Sequence, residues 1–508
     1  MNYKISSAAV LALGLSTVAL AQDYTDAMRF NQNDVMGTAR TQAMAGAFGA
    51  VGADLTSMAI NPAGMGVYRA TELGLSLGVS VIKDESEYFT SKASDDKVKV
   101  PFDQIGANFS IGRMREEGGG LISSNIFIGY NRLADYTSKQ AYKDPLAHNS
   151  LLDYFCFDSQ KTALLTGDLA YQAYLTNDTT DNFTYNVWEQ YVGNDVNPNF
   201  RIDENGDGLI NMSKSVKEDG SKGDIAMGYA ANISNKFYIG GSINVRTISY
   251  ENTTTHRESF EGYTVYEGDP TSFSYRSRLE QDGTGVCFNL GVIYRPVNAL
   301  RVGFALHSPT FYSISERYSA SIYNPARNLQ VDANGEYEYK YRSPSRFIVS
   351  AAGIFGKAGM ISVDFEHTNN ARSKFTQKEE DDDFVSSDPF EETNNLIKDK
   401  QLTTTNTIRI GGELSIFNPV YLRAGYRYTS CGISNVYYVK EPKSYAVSGG
   451  VGFRIGNFFA DLAYVCNVKK GDHYVLPDDS QAYFYETNRP AYLTQKAHSG
   501  VLTIGFRL

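Results

Sequence analysis

From Thr71 to Leu508 the connections between apolar-alternating segments take strict turns in length, one short and the next long. The short ones are EEGGG (116–120), SNK (234–236), RPVNA (295–299), GKAG (356–359), NP (418–419) and GN (456–457). The long ones lie near 84–102, 138–222, 252–282, 313–342, 370–404, 430–443 and 469–497. About fourteen segments of roughly ten residues with period-two patterning separate them, the length a tilted membrane-spanning strand requires. A soluble sandwich has no reason to sort its loops this way. An outer-membrane barrel does, because its periplasmic turns are short and its outer loops long. The expected fold is all-β, an antiparallel transmembrane barrel over 71–508 whose longest loop is 138–222.

Only every second strand residue of such a barrel faces lipid, so a hydrophobic share of 42% suffices. The 36 Tyr and 28 Phe can furnish its interfacial girdles. A secreted, merely Tyr-rich β-protein would leave the loop alternation unexplained. The chain opens with an export signal: MNYK, an apolar core from Ile5 to Leu20, and Ala19 and Ala21 at a cleavage site. Residues 1–21 are thus a signal peptide and Gln22 the expected first mature residue. No Cys follows that site, which disfavours a lipid anchor, and no later apolar run suits a membrane helix. The net charge of −10 resides in loops such as EEDDD (379–383), and no basic stripe invites nucleic acid.

Parity orients the strands. In GVLTIGFRL, Leu502, Ile504, Phe506 and Leu508 share one face, with Arg507 on the other. A lipid-facing Arg near mid-membrane costs about 2–4 kcal/mol, so charged residues mark the inner face. This logic turns Arg246, Asp364, Glu366, Arg409, Glu413, Arg423, Arg427 and Arg507 into the lumen, with Arg301, Arg454 and Asp461. Mixed signs suit a network that anchors a plug better than a polar pore lining.

Residues 22–70 lack period-two alternation and read as short, Gly/Ala-rich helical pieces, too polar to span a bilayer and too small to fold alone. Ahead of a barrel, such a segment suggests a hatch inside the lumen, with Pro62 ending any helix. The run AGAFGAVGADLTSMAINPAGM (45–65) resembles the hatch of the FadL/TodX family of outer-membrane transporters, which carry long-chain fatty acids and aromatic hydrocarbons. The matching element is Asn61-Pro62-Ala63, followed by Gly64 and Met65, with Asp54 and Ser57 upstream. The resemblance implies a hatch-plugged barrel in the bacterial outer membrane, passive uptake of a hydrophobic small molecule, and release after the hatch rearranges, through the wall. Expected partners are that ligand, outer-membrane lipid and lipopolysaccharide, and the barrel-assembly machinery, around a monomer. Competing readings are a polar-solute porin and a surface structural or adhesion barrel.

The loop 138–222 carries apolar residues partly at helical spacing. Leu151, Phe155, Leu164, Leu169, Tyr174 and Trp188 are candidates to line a capture groove, or else a loop domain packing on itself. DENGDGLIN (203–211) opens like a calcium loop, with Asp203, Asn205, Asp207, the Leu209 carbonyl and Asn211 as candidate ligands. Lys214 stands where a bidentate acid belongs, so at most a truncated structural Ca²⁺ site remains. Cys156, Cys287, Cys431 and Cys466 match no metal spacing and are expected unpaired. Of six scattered His, only His307 is placed in a strand core. No Ser and His fall together on adjacent strands as a hydrolase would need, so no enzyme is expected.

Overall fold

The computed structural model describes residues 24–508 apart from 35, 89–90, 113–119, 162–164, 179–183, 189–190, 193–194, 197–202, 204–207, 263–267, 379–387, 418, 436–439 and 475–489. Fourteen antiparallel strands form a closed barrel. They are β1 (Glu72–Tyr88), β2 (Phe102–Ile111), β3 (Leu121–Asp135), β4 (Ile210–Ile233), β5 (Phe237–Phe260), β6 (Ser272–Val297) and β7 (Leu300–His307). Then follow β8 (Arg346–Ile354), β9 (Gly359–Asn369), β10 (Thr404–Phe417), β11 (Val420–Thr429), β12 (Lys443–Ile455), β13 (Phe458–Tyr474) and β14 (Pro490–Arg507). Each pairs with its successor, and β14 pairs with β1 from Glu72↔Arg507 to Glu87↔Tyr492, closing the ring.

The outer face carries a belt of exposed apolar side chains, among them Leu77, Ile243, Val363, Leu422, Leu462 and Leu502. The inner face buries the charged set, including Arg246, Asp364, Glu366, Arg409, Arg423 and Arg427. Glu413 and Arg507 also lie on that face, in ion pairs. The short turns fall where the loop alternation puts them, for instance between Ile233 and Phe237 and between Ile455 and Phe458.

The strands are longer than expected. β4, β5 and β6 run 24, 24 and 26 residues, against the ~9–11 that cross a bilayer. Much of what reads as long loop is wall continued outward. Phe311–Asn324 pairs with the outer half of β6 and with Leu329–Arg342. Ser91–Lys99 pairs with outer β1, and Ser138–Ala147 with outer β4. Above the lipid both faces can be polar, so the backbone ladder persists while the apolar–polar contrast fades.

Inside the ring lie α1 (Tyr24–Asn31), α2 (Ala39–Ala43), α3 (Ser57–Ile60) and a 3-10 turn, Pro62–Val67. Helix α1 packs Ala27 and Phe30 among Tyr250, Tyr312, Tyr339, Tyr341 and Phe375. Met44, Phe48 and Ile60 pack on Ala305, Ile348 and Ala352 of the wall. Leu55, Met58 and Met65 pack on Phe127, Ala226 and Ala230. Outside, α4 (Leu151–Lys161) and α5 (Leu165–Gln172) build a crown on the extended strands.

Candidate functional site

The hatch is organised by two side chains. Asp54, buried, accepts from Thr38 Oγ1 at 2.8 Å, Thr41 Oγ1 at 2.9 Å and the Thr56 amide at 2.9 Å. Thr38 also caps α2, receiving the Thr41 amide. One carboxylate thus ties the start of α2 to the approach to α3. Asn61 caps the 3-10 turn by accepting from the Ala63 amide at 3.1 Å, while its Nδ2 donates to the Gly49 carbonyl at 2.7 Å. Pro62 follows at the first turn, where its missing N–H costs nothing. Ala63 packs on Tyr238 and Ile293, the Ala53 amide donates to the Gly64 carbonyl at 3.0 Å, and Met65 is fully buried.

The wall then holds the hatch at many points. Arg40 makes a bidentate pair with Glu413 at 2.9 and 3.1 Å. Glu413 is shared with Arg423 at 2.6 Å, and Arg423 reaches Asp461 at 2.6 Å. Asp364 accepts the Gly49 amide at 2.8 Å. Glu366 binds Arg409 at 2.9 Å. Arg346 donates to His307 Nδ1 at 2.8 Å, which leaves Nε2 as the donor to the Ile60 carbonyl at 2.9 Å. Buried Lys222 donates to the Phe30 carbonyl, at the cation-favouring end of α1, at 2.6 Å. Arg427 and Lys469 flank Asp34 at 3.3 and 3.4 Å. Burial pushes the Asp34 carboxyl up, but the Lys469 and Arg427 charges outweigh it and hold it below the usual range. Arg246 pairs with Asp224 at 3.1 Å, and Arg507 with Glu72 at 2.5 Å.

Wall glycines complete the fit. A Cβ at Gly240 would strike the Pro62 carbonyl, at Gly291 the Asn61 side chain, at Gly303 the Gly49 carbonyl and at Gly425 the Met44 backbone. These positions let the hatch backbone touch the strands. Sequence reasoning missed them, because a strand glycine has many possible causes. The usable signal was a repeated inward Gly beside inward charges.

A cavity of about 460 Å³ lies between α1 and the wall of β9 to β13. Met28, Tyr136, Tyr250 and Ile433 line it, as do Thr407 and Thr429. It extends to Asp135, Thr137 and Ser138, beside a discontinuity in the wall. There β2 pairs with β1 only from Glu72 to Leu77, and beyond Pro101 the partner becomes Ser91–Lys99. No ladder joins Ser91–Lys99 to Ser138–Ala147 among the described residues. Lys139–Asp95 at 2.8 Å bridges the two instead, while Lys97 and Lys99 reach Asp219 of β4 at 2.6 Å and Asp135 of β3 at 3.4 Å. Ser138 Oγ and the Lys139 amide both donate to Asp84 of β1. The hairpins overlap at this seam.

The loop candidates do not line an open groove. Leu151, Phe155, Leu169 and Trp188 fill the core of the crown, with Trp188 stacked on Phe260 and donating to the Pro270 carbonyl at 2.7 Å. The helical spacing of Leu151, Phe155 and Leu169 marks the buried faces of α4 and α5, and Trp188 packs on them from a turn, so the capture-groove assignment gives way to self-packing. Tyr174 is exposed at a positive φ, under the Arg327 guanidinium, and Leu164 lies outside the described residues. Of the calcium candidates, Asn205 and Asp207 also lie outside them. The Leu209 carbonyl accepts the Glu261 amide at 2.9 Å, Asn211 is exposed on β4, and Asp203 is half-buried. Among the described residues no three acid, His or Cys side chains gather as for a metal. Cys287, Cys431 and Cys466 are free thiols. His256, His367, His473 and His498 also lie in strands, which corrects the expectation that only His307 does. His256 and Ser150 both bond Glu258, at 2.5 Å each, so the carboxylate stands between them.

No family model and no curated sequence matches the chain. Solved structures do. A FadL homologue of Pseudomonas aeruginosa superposes with a TM-score of 0.57 at 11% identity, over 94% of this chain and 99% of its own. The toluene transporter TodX of Pseudomonas putida gives 0.54 at 11% identity, and TbuX, a toluene transporter of Ralstonia pickettii, 0.51 at 13%. Each spans 94% of this chain and 99% of its own. The fold is that of the FadL and TodX barrels.

Proposed function

We propose that the protein is a passive uptake channel of the bacterial outer membrane for hydrophobic small molecules, gated by its N-terminal hatch. The cargo class is a fatty acid, an aromatic hydrocarbon or a similar lipid-like ligand, a reading supported by the FadL-like and toluene-transporting fold neighbours. One observation carries the reading: the hatch occupies the lumen and is bonded to the wall along its length, from Lys222–Phe30 to His307–Ile60. Passage then requires hatch residues to move. The overlapped seam above Pro101 supports exit through the wall, since it is held by side chains where other strand pairs have ladders. The protein would work as a monomer among lipid and lipopolysaccharide after insertion by the barrel-assembly machinery.

In planar bilayers the full-length protein should stay largely closed to ions, and a variant lacking 22–67 should conduct steadily. Asn61→Ala/Pro62→Ala should slow cellular uptake of dodecanoate or toluene while the barrel stays heat-modifiable on gels. Steady conductance by the intact protein would make it a polar-solute porin. Function surviving with the loops grafted onto another barrel would make it an adhesin.

A further inference from the structure

The lumen cavity has two unlike faces. Tyr136 and Tyr250 give it an aromatic side, and Met28, Ile433 and Leu493 add apolar lining elsewhere, Met28 beside Thr405 and Asn370. Opposite runs a stripe of hydroxyls and amides. Thr407, Thr429 and Ser444 stand directly across from one another on β10, β11 and β12. Thr368 faces Thr405 in the same way on β9 and β10. All five line the cavity, with Asn370. Thr407 and Thr429 bond each other at 3.1 Å, and Asn370 donates to Thr405 at 2.7 Å, so the stripe is already a hydrogen-bonding surface.

Most charges around this space are matched within the protein, while the exposed Lys443 and Lys470 line it outside any ion pair among the described residues. Asp34 is held by Arg427 and Lys469, Glu366 by Arg409, Asp135 by Arg132, and Arg29 by Asp26. Glu218 accepts the Tyr250 hydroxyl at 2.5 Å. To reach Arg427 and Lys469, an entering carboxylate would have to displace Asp34; short of that it meets only the exposed Lys443 and Lys470. A bare hydrocarbon would strip water from the hydroxyl stripe and offer nothing in return. Uncharged hydroxyl or carbonyl groups meet partners that both donate and accept. Asn33 Oδ1, another lining residue's acceptor, is buried and has no partner among the described residues.

We infer that the cavity binds a neutral amphiphile: an apolar body against Tyr136 and Tyr250, and a hydroxyl- or carbonyl-rich head along Thr407, Thr429 and Ser444. The inference rests on the uptake reading and names its cargo class. The volume lies within the ~300–1,000 Å³ of small-molecule pockets.

The test compares octyl β-glucoside, dodecanoate and toluene for saturable binding to the full-length protein in lipid nanodiscs, against empty nanodiscs. Octyl glucoside should bind best. Thr407→Val/Thr429→Val removes both mutually bonded hydroxyls together, leaving neither orphaned, and should weaken the glucoside about tenfold or more. Toluene binding should not fall. Asp34→Asn should raise dodecanoate binding by freeing Arg427 and Lys469. Heat-modifiable migration verifies that each variant folds. If dodecanoate or toluene binds best and the valine pair changes nothing, the head-group inference falls and the uptake reading stands. If none of the three binds saturably, both fall.

Discussion

The lipid-level wall with its hatch and the crown above it are built from the same strands, yet they obey different constraints. At the wall each side chain faces either lipid or the lumen, and the wrong choice is expensive. Arg423 and Arg427 alternate with Leu422 and Tyr426, and the two arginines are buried in ion-paired contacts with Glu413, Asp461 and Asp34. In the crown β5 and β6 keep pairing to Ser259↔Ser272, but through Thr253, Thr254, Thr255 and Arg276, which carry no such contrast. Register in the first region is enforced residue by residue. In the second it is inherited from below and locked by an aromatic core around Trp188.

Breaking the crown should therefore leave the wall intact. Trp188→Ala should cost about 3–5 kcal/mol locally. Proteases should then cut within 138–222 while the barrel keeps its heat-modifiable shift on gels. Simultaneous loss of both would mean that crown and wall unfold as one unit.

A single charge should separate the regions next. Leu502→Arg, in the exposed apolar belt, should destabilise by about 2–4 kcal/mol. Ser94→Arg, on the outward face of Ser91–Lys99, should stay within about 0.5 kcal/mol. Urea unfolding in detergent reads both, and equal costs would erase the distinction.

These contrasts explain what was legible beforehand. The turns, the inward charges and the non-alternating hatch announce themselves because lipid on one side makes every deviation informative. Asn61-Pro62 could be singled out through its resemblance to the FadL/TodX hatch element, and Pro62 as a helix stop because proline chemistry is local. The outward strand extensions read as loops once Thr, Ser and Glu occupied both faces. Leu151 and Phe155 read equally well as groove or core, since spacing identifies a buried face without naming what buries it. The glycines under the hatch and the seam at Pro101 depend on which chain segments meet in space, which no local pattern encodes.

A smaller effect sharpens the hatch side. The Asp34 carboxyl is raised by burial but lowered more by Lys469 and Arg427, so its folded value lies below the ordinary 3.8. Its contribution is full above that ordinary value and is lost as pH falls through the lowered one. Hydrogen exchange of the hatch amides should be unaffected by Asp34 protonation between about pH 7 and pH 5, and hatch protection should weaken only below about pH 4. Asp34→Asn should abolish that acid-dependent component. Crown amides should not share it.

The most direct measurement locks the hatch to the wall. A Cβ at Gly49 would stand 3.0 Å from the Ser350 Cβ of β8, near the ~3.5–4.5 Å of a disulfide. In a background with Cys431→Ser and Cys466→Ser, Gly49→Cys/Ser350→Cys should cross-link on oxidation. Cellular uptake of radiolabelled octyl β-glucoside and dodecanoate is then compared before and after reduction. The account predicts no protein-dependent uptake in the oxidised form and recovery on reduction. Uptake that proceeds equally with the hatch locked would contradict it.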